Sequence, residues 1–140
     1  MELYYDKPFL KISWDAEINC VFTEWKGFVY EADLRTGLNK ALELLQTKQA
    51  HKFLNDTRKL RVISQEDQAW IVKDWMPRTI KAGLRVSVSV VPESQLALAS
   101  FNSALQKAES VIETAARSGN EIETASFHSY EEALVWIRSR

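Results

Sequence analysis

The chain has little of what small proteins use for covalent or metal-based stabilisation. It contains one cysteine, Cys20, among 140 residues, so no internal disulfide can form. Its two histidines, His51 and His128, are not at metal-ligand spacing, and neither lies near Cys20 in sequence as a Cys–His nucleophile requires. A chain of this length buries roughly two-thirds of its unfolded surface. We therefore expect residues 1–140 to fold as one domain around a hydrophobic core, without a metal.

Glycine is also scarce, with four residues in the whole chain. Phosphate-binding P-loops, dinucleotide-binding turns and the nucleophile elbow of serine hydrolases each need glycines at fixed spacings, and none of these motifs occurs in the sequence. We therefore expect no cofactor. Because no catalytic set of side chains is visible either, we predict that the protein is not an enzyme.

Neither a charge excess nor a long apolar run is present. Lys and Arg together number 18 against 19 Asp and Glu, a net charge of −1, whereas nucleic-acid binders usually have a marked basic excess. The longest strand-like apolar stretch, Val86–Val91, contains two serines and is far shorter than the ~20 residues of a membrane-spanning helix. The residues Met1–Asp6 do not resemble a signal peptide. We expect a cytoplasmic protein with no nucleic acid partner and no membrane span.

The first half of the chain has clear periodicities. Apolar and polar residues alternate in Leu10–Asp15 and again in Ile18–Lys26, which predicts a β-hairpin. In Glu31–Lys48, four leucines recur at spacings of four, four and three residues, which is typical of an amphipathic helix. The sequence then predicts a short strand, Lys52–Asn55, followed by a polar loop, Asp56–Ile63.

A second helix is predicted after this loop. Ser64 and Asp67 form a capping-box pattern, which marks a helix N-terminus. Pro77 lies within this helix and has no backbone donor, so we expect a kink or a break near Lys73–Pro77. Gly83 is placed where a helix commonly ends.

Valine alternates with serine in the next strand, Arg85–Val91, and we expect the serine face to be covered by another layer or by another subunit. A heptad-like apolar stripe then predicts a helix over Ser94–Ser118. At 1.5 Å per residue this helix is roughly 37 Å long, against about 17–20 Å for a typical strand. We expect it to overhang the sheet or to break near Ser100–Ser103. The serine face and the stripe also lead us to predict a homodimer.

A last strand, Ile122–His128, and a C-terminal helix opened by Ser129 and Glu132 complete the pattern. Strands that alternate with helices indicate a largely parallel sheet, and the initial hairpin makes that sheet mixed. The predicted fold class is therefore α/β, with a mixed five-stranded sheet that begins with a β-hairpin.

This order of elements, with Asp56-Thr57 after the third predicted strand, resembles the STAS domain family of sulfate transporters and anti-sigma-factor antagonists. A bacterial branch called SpoIIAA-like, or STAS/SEC14-like, is similar over nearly the whole chain. The stretches that carry this resemblance are Thr23–Val29, Asn55–Leu60 and Trp70–Arg78. The resemblance implies a STAS-like fold.

The resemblance also implies a candidate regulatory site. In STAS antagonists controlled by phosphorylation, the acceptor is a Ser or Thr just after an Asp at this strand end, so Thr57 takes the acceptor position and Asp56 the preceding acid. Here Arg58-Lys59-Leu60 stands where the antagonists have a glycine-containing continuation.

Two functions follow as hypotheses. The first is a non-enzymatic interaction or regulatory module whose partner contacts Asp56 and Thr57, with Arg58, Lys59 and Arg61 available to bind a carboxylate or a phosphate. A structural role of Asp56 in a turn, and a solvated loop of cations, remain open for these residues.

The second hypothesis is a carrier or sensor of a small apolar or amphipathic, lipid-like ligand. The SEC14-like name of the branch suggests it, and Trp70 and Trp75 on the second helix could line such a pocket. The alternative for both tryptophans is that they fill the core or an interface.

Overall fold

The computed structural model describes residues 1–140, and its six strands form one sheet in the order β1-β2-β3-β4-β5-β6. Strands β1, β2 and β3 are antiparallel neighbours, and β3 to β6 run parallel. The strands are β1 Glu2–Lys7, β2 Leu10–Asp15, β3 Cys20–Gly27, β4 Lys52–Leu60, β5 Val86–Val90 and β6 Glu123–Phe127. The mixed α/β architecture is thus as expected.

The helices connect the parallel strands. They are α1 Glu31–Lys48, α2 Gln65–Trp70, α3 Met76–Lys81, α4 Gln95–Arg117 and α5 Tyr130–Arg138, and a π-helical turn, Ile71–Trp75, joins α2 to α3. Helices α1 to α4 lie on one face of the sheet and α5 lies on the other. No helix combines the length and the apolarity needed to cross a membrane.

The sheet has six strands, and the prediction of five was wrong because it omitted β1. This strand lies at the edge of the sheet, with Leu3 largely exposed and Tyr4 and Tyr5 only half-buried. An irregularity in its pairing between Leu3 and Tyr5 also interrupts the alternation of its faces. An edge strand that buries so little does not need an alternating apolar pattern.

Strand β4 is longer than predicted, since it continues to Leu60 and includes most of the stretch assigned to a loop, Asp56–Ile63. Its partner β3 extends to Gly27, and a shift of register in this part of the pair allows both strands to continue. The backbone N–H of Arg61 then donates to the carbonyl of Gly27 at 2.9 Å. Asp56 and Thr57 therefore lie within the strand and not in a loop after it.

A kink or a break was predicted near Lys73–Pro77, but the structure has a π-helical turn there and the chain stays helical, so the predicted break is wrong. Residues Trp70, Trp75 and Met76 all have right-handed helical backbone angles, and the N–H of Met76 donates to the carbonyl of Ile71, five residues earlier. A proline ring clashes with the carbonyl four residues before it in a regular helix. The wider π turn lies directly before Pro77 and relieves this crowding.

Helix α4 is continuous over 23 residues, so the predicted break near Ser100–Ser103 is wrong. Ser100 stabilises the helix at this point instead. Its hydroxyl donates to the carbonyl of Ala97 at 2.9 Å and accepts the N–H of Ile63 at 3.0 Å. The other predicted alternative was that this helix overhangs the sheet. That alternative is correct, because the strands beneath α4, β5 and β6, have only five residues each.

Two hydrophobic clusters lie on the two faces of the sheet. The larger, of 17 buried residues, is formed with α1 and the α2–α3 segment, and the smaller, of seven, is formed with α5. Cys20 lies in the smaller cluster, where burial raises the pKa of its thiol to about 12. The thiol is therefore protonated at neutral pH, and a protonated buried thiol is a poor nucleophile.

Candidate ligand-binding cavity

A cavity of about 350 Å³ lies on the face of the sheet that α4 covers. Helix α4 packs mainly on α2, the π turn and α3, and it leaves a space between itself and strands β4, β5 and β6. Ligand pockets in proteins usually measure roughly 300–1,000 Å³. The cavity is therefore large enough for a small molecule.

The floor of the cavity is uncharged and largely polar, although the aromatic side chains of Phe53 on β4 and Trp25 on β3 also line it. Strands β4, β5 and β6 contribute pairs of small polar side chains from the same face, and paired positions place Asn55 beside Ser89 and Ser89 beside Ser126. The polar floor residues are Asn55, Thr57, Ser87, Ser89, Thr124 and Ser126. Because one face of a strand takes every second residue, each of the three strands provides two of them.

The roof of the cavity is apolar apart from Thr79, whose hydroxyl donates to the carbonyl of Met76 at 2.7 Å. The roof is formed by the helical segment from Ile71 to Ile80 and by the inner face of α4. The apolar roof residues are Ile71, Val72, Trp75, Met76, Ile80, Phe101, Ala104, Leu105, Ala108 and Ile112. A polar floor opposite an apolar roof is suited to a molecule that has one face or end of each kind.

The cavity opens at the edge of the sheet, between β6 and the C-terminal half of α4. The lining residues in this region are exposed, namely Leu105 and Glu109 on α4 and Thr124 and Ser126 on β6. Glu109 is also the one ionisable side chain among the 27 lining residues. The interior of the cavity is therefore without formal charge.

Asn55 has a fixed orientation on the floor. Its side-chain oxygen accepts hydrogen bonds from Thr23 Oγ1 at 2.8 Å and from Trp25 Nε1 at 2.9 Å. An indole nitrogen can only donate, so the atom that faces Trp25 must be the oxygen of the amide. The amide nitrogen of Asn55, with two donors, points away from Trp25 and forms no hydrogen bond within the protein.

Thr57 also faces the cavity, but its hydroxyl is already bonded. Thr57 Oγ1 donates to the carbonyl of Val90 at 2.6 Å, and the residue is 2% exposed. This bond joins β4 to β5 on the floor. Phosphorylation of Thr57 would require the bond to break and the hydroxyl to reach solvent.

Asp56 lies on the opposite face of the sheet from Thr57, because successive side chains of a strand alternate. Its carboxylate, 4% exposed, accepts both Nε and Nη2 of Arg58, at 3.0 and 2.7 Å. The guanidinium lies over the ring of Tyr130 at 5.2 Å. The hydrogen bonds that Arg58 donates to Asp56 raise the pKa of Arg58, and burial, with the Asp56 charge, raises the pKa of Tyr130.

The other predicted cations are at the end of β4. Lys59 forms an exposed salt bridge with Glu93 at 3.1 Å, and Arg61 is exposed directly after the strand. Arg58, Lys59 and Arg61 thus lie at or directly after the end of β4. Thr57 is buried in the cavity and does not share a surface with them.

The two candidate tryptophans have different surroundings. Trp75 is 6% exposed, lines the cavity and donates from Nε1 to the carbonyl of Leu38 at 2.7 Å. Trp70 does not line the cavity; it is half-buried, and the guanidinium groups of Arg35 and Arg78 lie 5.4 and 5.9 Å from its ring. Only Trp75 is placed to contact a ligand there.

Of the floor residues only Thr57 was a predicted site residue, and it was predicted as a phosphoacceptor and not as part of a cavity, although the sequence contained a signal for the floor. The alternation of valine and serine in β5 led us to expect that the serine face is covered. Helix α4 covers this face, with the cavity between them. The position of Asn55 across from Ser89 could not be read from the sequence, because it depends on the register of β4 and β5. No three His, Cys, Asp or Glu side chains lie together as a possible metal site.

Among solved structures, the chain is similar to the crystal structure of an uncharacterized protein of the DUF3478 family, with a SpoIIAA-like fold, from Shewanella loihica PV-4. The two share 15% sequence identity, the similarity covers 96% of this chain and 98% of the other, and the TM-score is 0.57. No family model and no curated protein matches the chain. At this identity the likeness concerns the fold alone.

Proposed function

Because the chain has a SpoIIAA-like fold in which α4 covers a cavity, we propose that it binds a small amphipathic molecule there, as a carrier or a sensor. The observation that carries this proposal is the pairing of an apolar roof with a polar, uncharged floor around about 350 Å³ of space. Native packing leaves few voids larger than a water molecule. A space of this size beside the main core is therefore better explained by a ligand than by loose packing.

The floor supports the same function. The hydroxyls of Ser87, Ser89, Thr124 and Ser126 take part in none of the hydrogen bonds within the protein, and they are not sealed from solvent. Without a ligand they are satisfied by water. A ligand that is polar on one side replaces this water and buries its apolar side under α4, which contributes roughly 25 cal/mol for each Å² of apolar surface removed from water.

Filling the cavity should remove binding without harming the fold. Ala104 lies on the inner face of α4, and Ala104→Phe places a ring in the space that a ligand would occupy. We expect the affinity for the uncharged fluorescent probe N-phenyl-1-naphthylamine to fall at least roughly tenfold, while the Tm stays equal or rises because the new ring fills a void. Fluorescence titration and a thermal melt measure the two effects.

A matched control is available on the same helix. Ala99 is exposed and does not line the cavity, so Ala99→Phe adds the same ring outside it. Its affinity for the probe should equal that of the unsubstituted protein. Equal affinity in all three proteins, or no binding of the probe to any of them, would contradict the proposed function.

A second candidate function is an interaction or regulatory module, with which the SpoIIAA-like fold is compatible. The observation that favours it is Arg58, which Asp56 and Tyr130 hold in one position, with Arg61 exposed nearby. A guanidinium held in this way loses little side-chain entropy when it binds a carboxylate or a phosphate. We propose the end of β4 as the surface that meets an anionic partner, with Lys59 beside it.

This surface can be tested by charge removal. We expect the double variant Arg58→Gln, Arg61→Gln to lose any protein partner captured from a bacterial lysate, by at least roughly tenfold in quantitative mass spectrometry. The control is Arg117→Gln, because Arg117 is exposed at the end of α4. Unchanged capture by the double variant would count against this candidate.

The homodimer and the modification of Thr57 stay predictions. Phe101 and Ala108 of the α4 stripe are buried within the same chain, whereas Leu105 is exposed at the mouth of the cavity. Sedimentation must therefore decide the subunit count.

A further inference from the structure

We infer that the ligand of the cavity is an uncharged amphiphile with a carbonyl or similar acceptor oxygen, which the side-chain amide of Asn55 binds. This inference rests on the proposed ligand-binding function and specifies the chemical class of the ligand.

The first argument is the absence of cations around the cavity. Its lining contains no Lys, Arg or His, and its one ionisable residue, Glu109, is an acid at the mouth. Lys107, also on α4, is not a lining residue, and its ammonium group donates to Gln68 Oε1 at 2.9 Å. A carboxylate or phosphate that enters the cavity would lose its hydration without gaining a counter-charge, and this cost is large.

The second argument is the orientation of Asn55. Thr23 and Trp25 occupy its oxygen, so the two donors of its nitrogen are the part of the amide left for a ligand. Its neighbour across the floor, Ser89, has a hydroxyl that can donate as well. The centre of the floor therefore offers donors in a fixed place, and the complementary ligand group is an acceptor oxygen.

Two probes of equal chain length separate an uncharged acceptor from a charged one. Decan-2-one has a ketone oxygen and no charge, and decanoic acid is ionised at pH 8, since carboxylic acids titrate at about 4–5. In calorimetric or tryptophan-fluorescence titrations of the unsubstituted protein at pH 8, we expect the ketone to bind at least roughly tenfold more tightly than decanoate.

The pH dependence of the same titrations gives a second readout. Because the cavity prefers the uncharged acid, the pKa of bound decanoic acid is raised, and its apparent affinity should increase as the pH is lowered from 8 towards 5. The affinity for decan-2-one should not change over this range, which also controls for any effect of Glu109 on the protein.

A substitution tests the role of Asn55. Asn55→Asp keeps an oxygen for Thr23 and Trp25 but replaces both donors by a second oxygen, so the affinity for decan-2-one should fall roughly tenfold or more. The control, Asn102→Asp, makes the same change of charge on the exposed side of α4 and should bind the ketone normally. Circular dichroism of both variants shows whether they are folded. The pH comparison is independent of this result, because it uses the unsubstituted protein.

The outcomes distinguish the inference from the function on which it rests. Equal affinities for ketone and decanoate at pH 8, or a folded Asn55→Asp variant that binds the ketone normally, would overturn the inference and leave ligand binding in place. If neither probe binds, and N-phenyl-1-naphthylamine does not bind either, the proposed function fails together with the inference.

Discussion

Trp75→Ala is expected to lower the free energy of unfolding by about 3–5 kcal/mol, the usual cost of replacing a buried Trp by Ala. Trp75 belongs to the larger hydrophobic cluster, with its ring centroid 5.9 Å from that of Phe53. Its removal also breaks the hydrogen bond to the carbonyl of Leu38, which ties the π turn to α1. Since small domains are stable by about 5–15 kcal/mol, the loss is a large part of the total.

Urea denaturation followed by far-UV circular dichroism measures this effect, because tryptophan fluorescence changes with the substitution itself. The matched control is Trp70→Ala, five residues earlier in the same helical segment. Trp70 is half-buried beneath two guanidinium groups, so we expect a loss of no more than about 1–2 kcal/mol. Equal losses in the two variants would show that the assigned difference in packing is wrong.

Asp67→Ala is expected to lower the free energy of unfolding by about 2–4 kcal/mol. This is more than an acid near a helix N-terminus usually contributes. Its side chain is 1% exposed, and it accepts the backbone N–H of Glu31 at 3.0 Å and two guanidinium nitrogens of Arg35 at 3.3 and 3.4 Å. Helix α1 has no side-chain cap of its own at Tyr30. Asp67 therefore caps α1 from α2, and its loss leaves a donor and part of a charge unpaired.

The backbone of Glu31 makes this contact more important. Its φ of 49° lies in the left-handed region, which is unfavourable for a residue other than glycine, and the hydrogen bond that its N–H donates to Asp67 holds it there. Asp33→Ala removes the same charge from an exposed position in the first turn of α1 and should change the stability by no more than about 0.5 kcal/mol. A loss for Asp67→Ala as small as for Asp33→Ala in urea denaturation would contradict the role assigned to Asp67.

Asp67 also shows what could be predicted from the sequence and what could not. The capping box was predicted from Ser64 and Asp67, and the N–H of Asp67 does donate to Ser64 Oγ at 3.1 Å. The carboxylate, however, contacts a residue 36 positions away and not its own helix end. A local pattern predicts where a helix begins, but the partner of a buried side chain depends on how the helices pack.

The same limit separates the predicted fold from the candidate site. The α1 helix and the β2–β3 hairpin follow from local periodicity, and they were predicted. Pro77 led us to predict a kink or a break, whereas the chain forms a π turn and stays helical. Strand β1 and the second half of β4 lack an alternating pattern, because one lies at the edge of the sheet and the other carries the Asp56–Arg58 pair. The cavity depends on the distance between α4 and the sheet, which no local pattern encodes.

The π turn lets α2 and α3 keep their orientations although the chain between them has one residue too many for a regular helix. A π turn holds one residue more than the regular helical turn it replaces, and each residue of an α-helix turns the chain by about 100°. If the same residues were wound as a regular helix, Met76 and Ile80 would be rotated by about 100° relative to α2 and would turn away from the ligand. A homologue with one residue fewer between Ile71 and Trp75 would carry a regular turn there and keep both side chains in place, so a single-codon deletion within the π turn should preserve the cavity, whereas a deletion within a regular part of the helix should not.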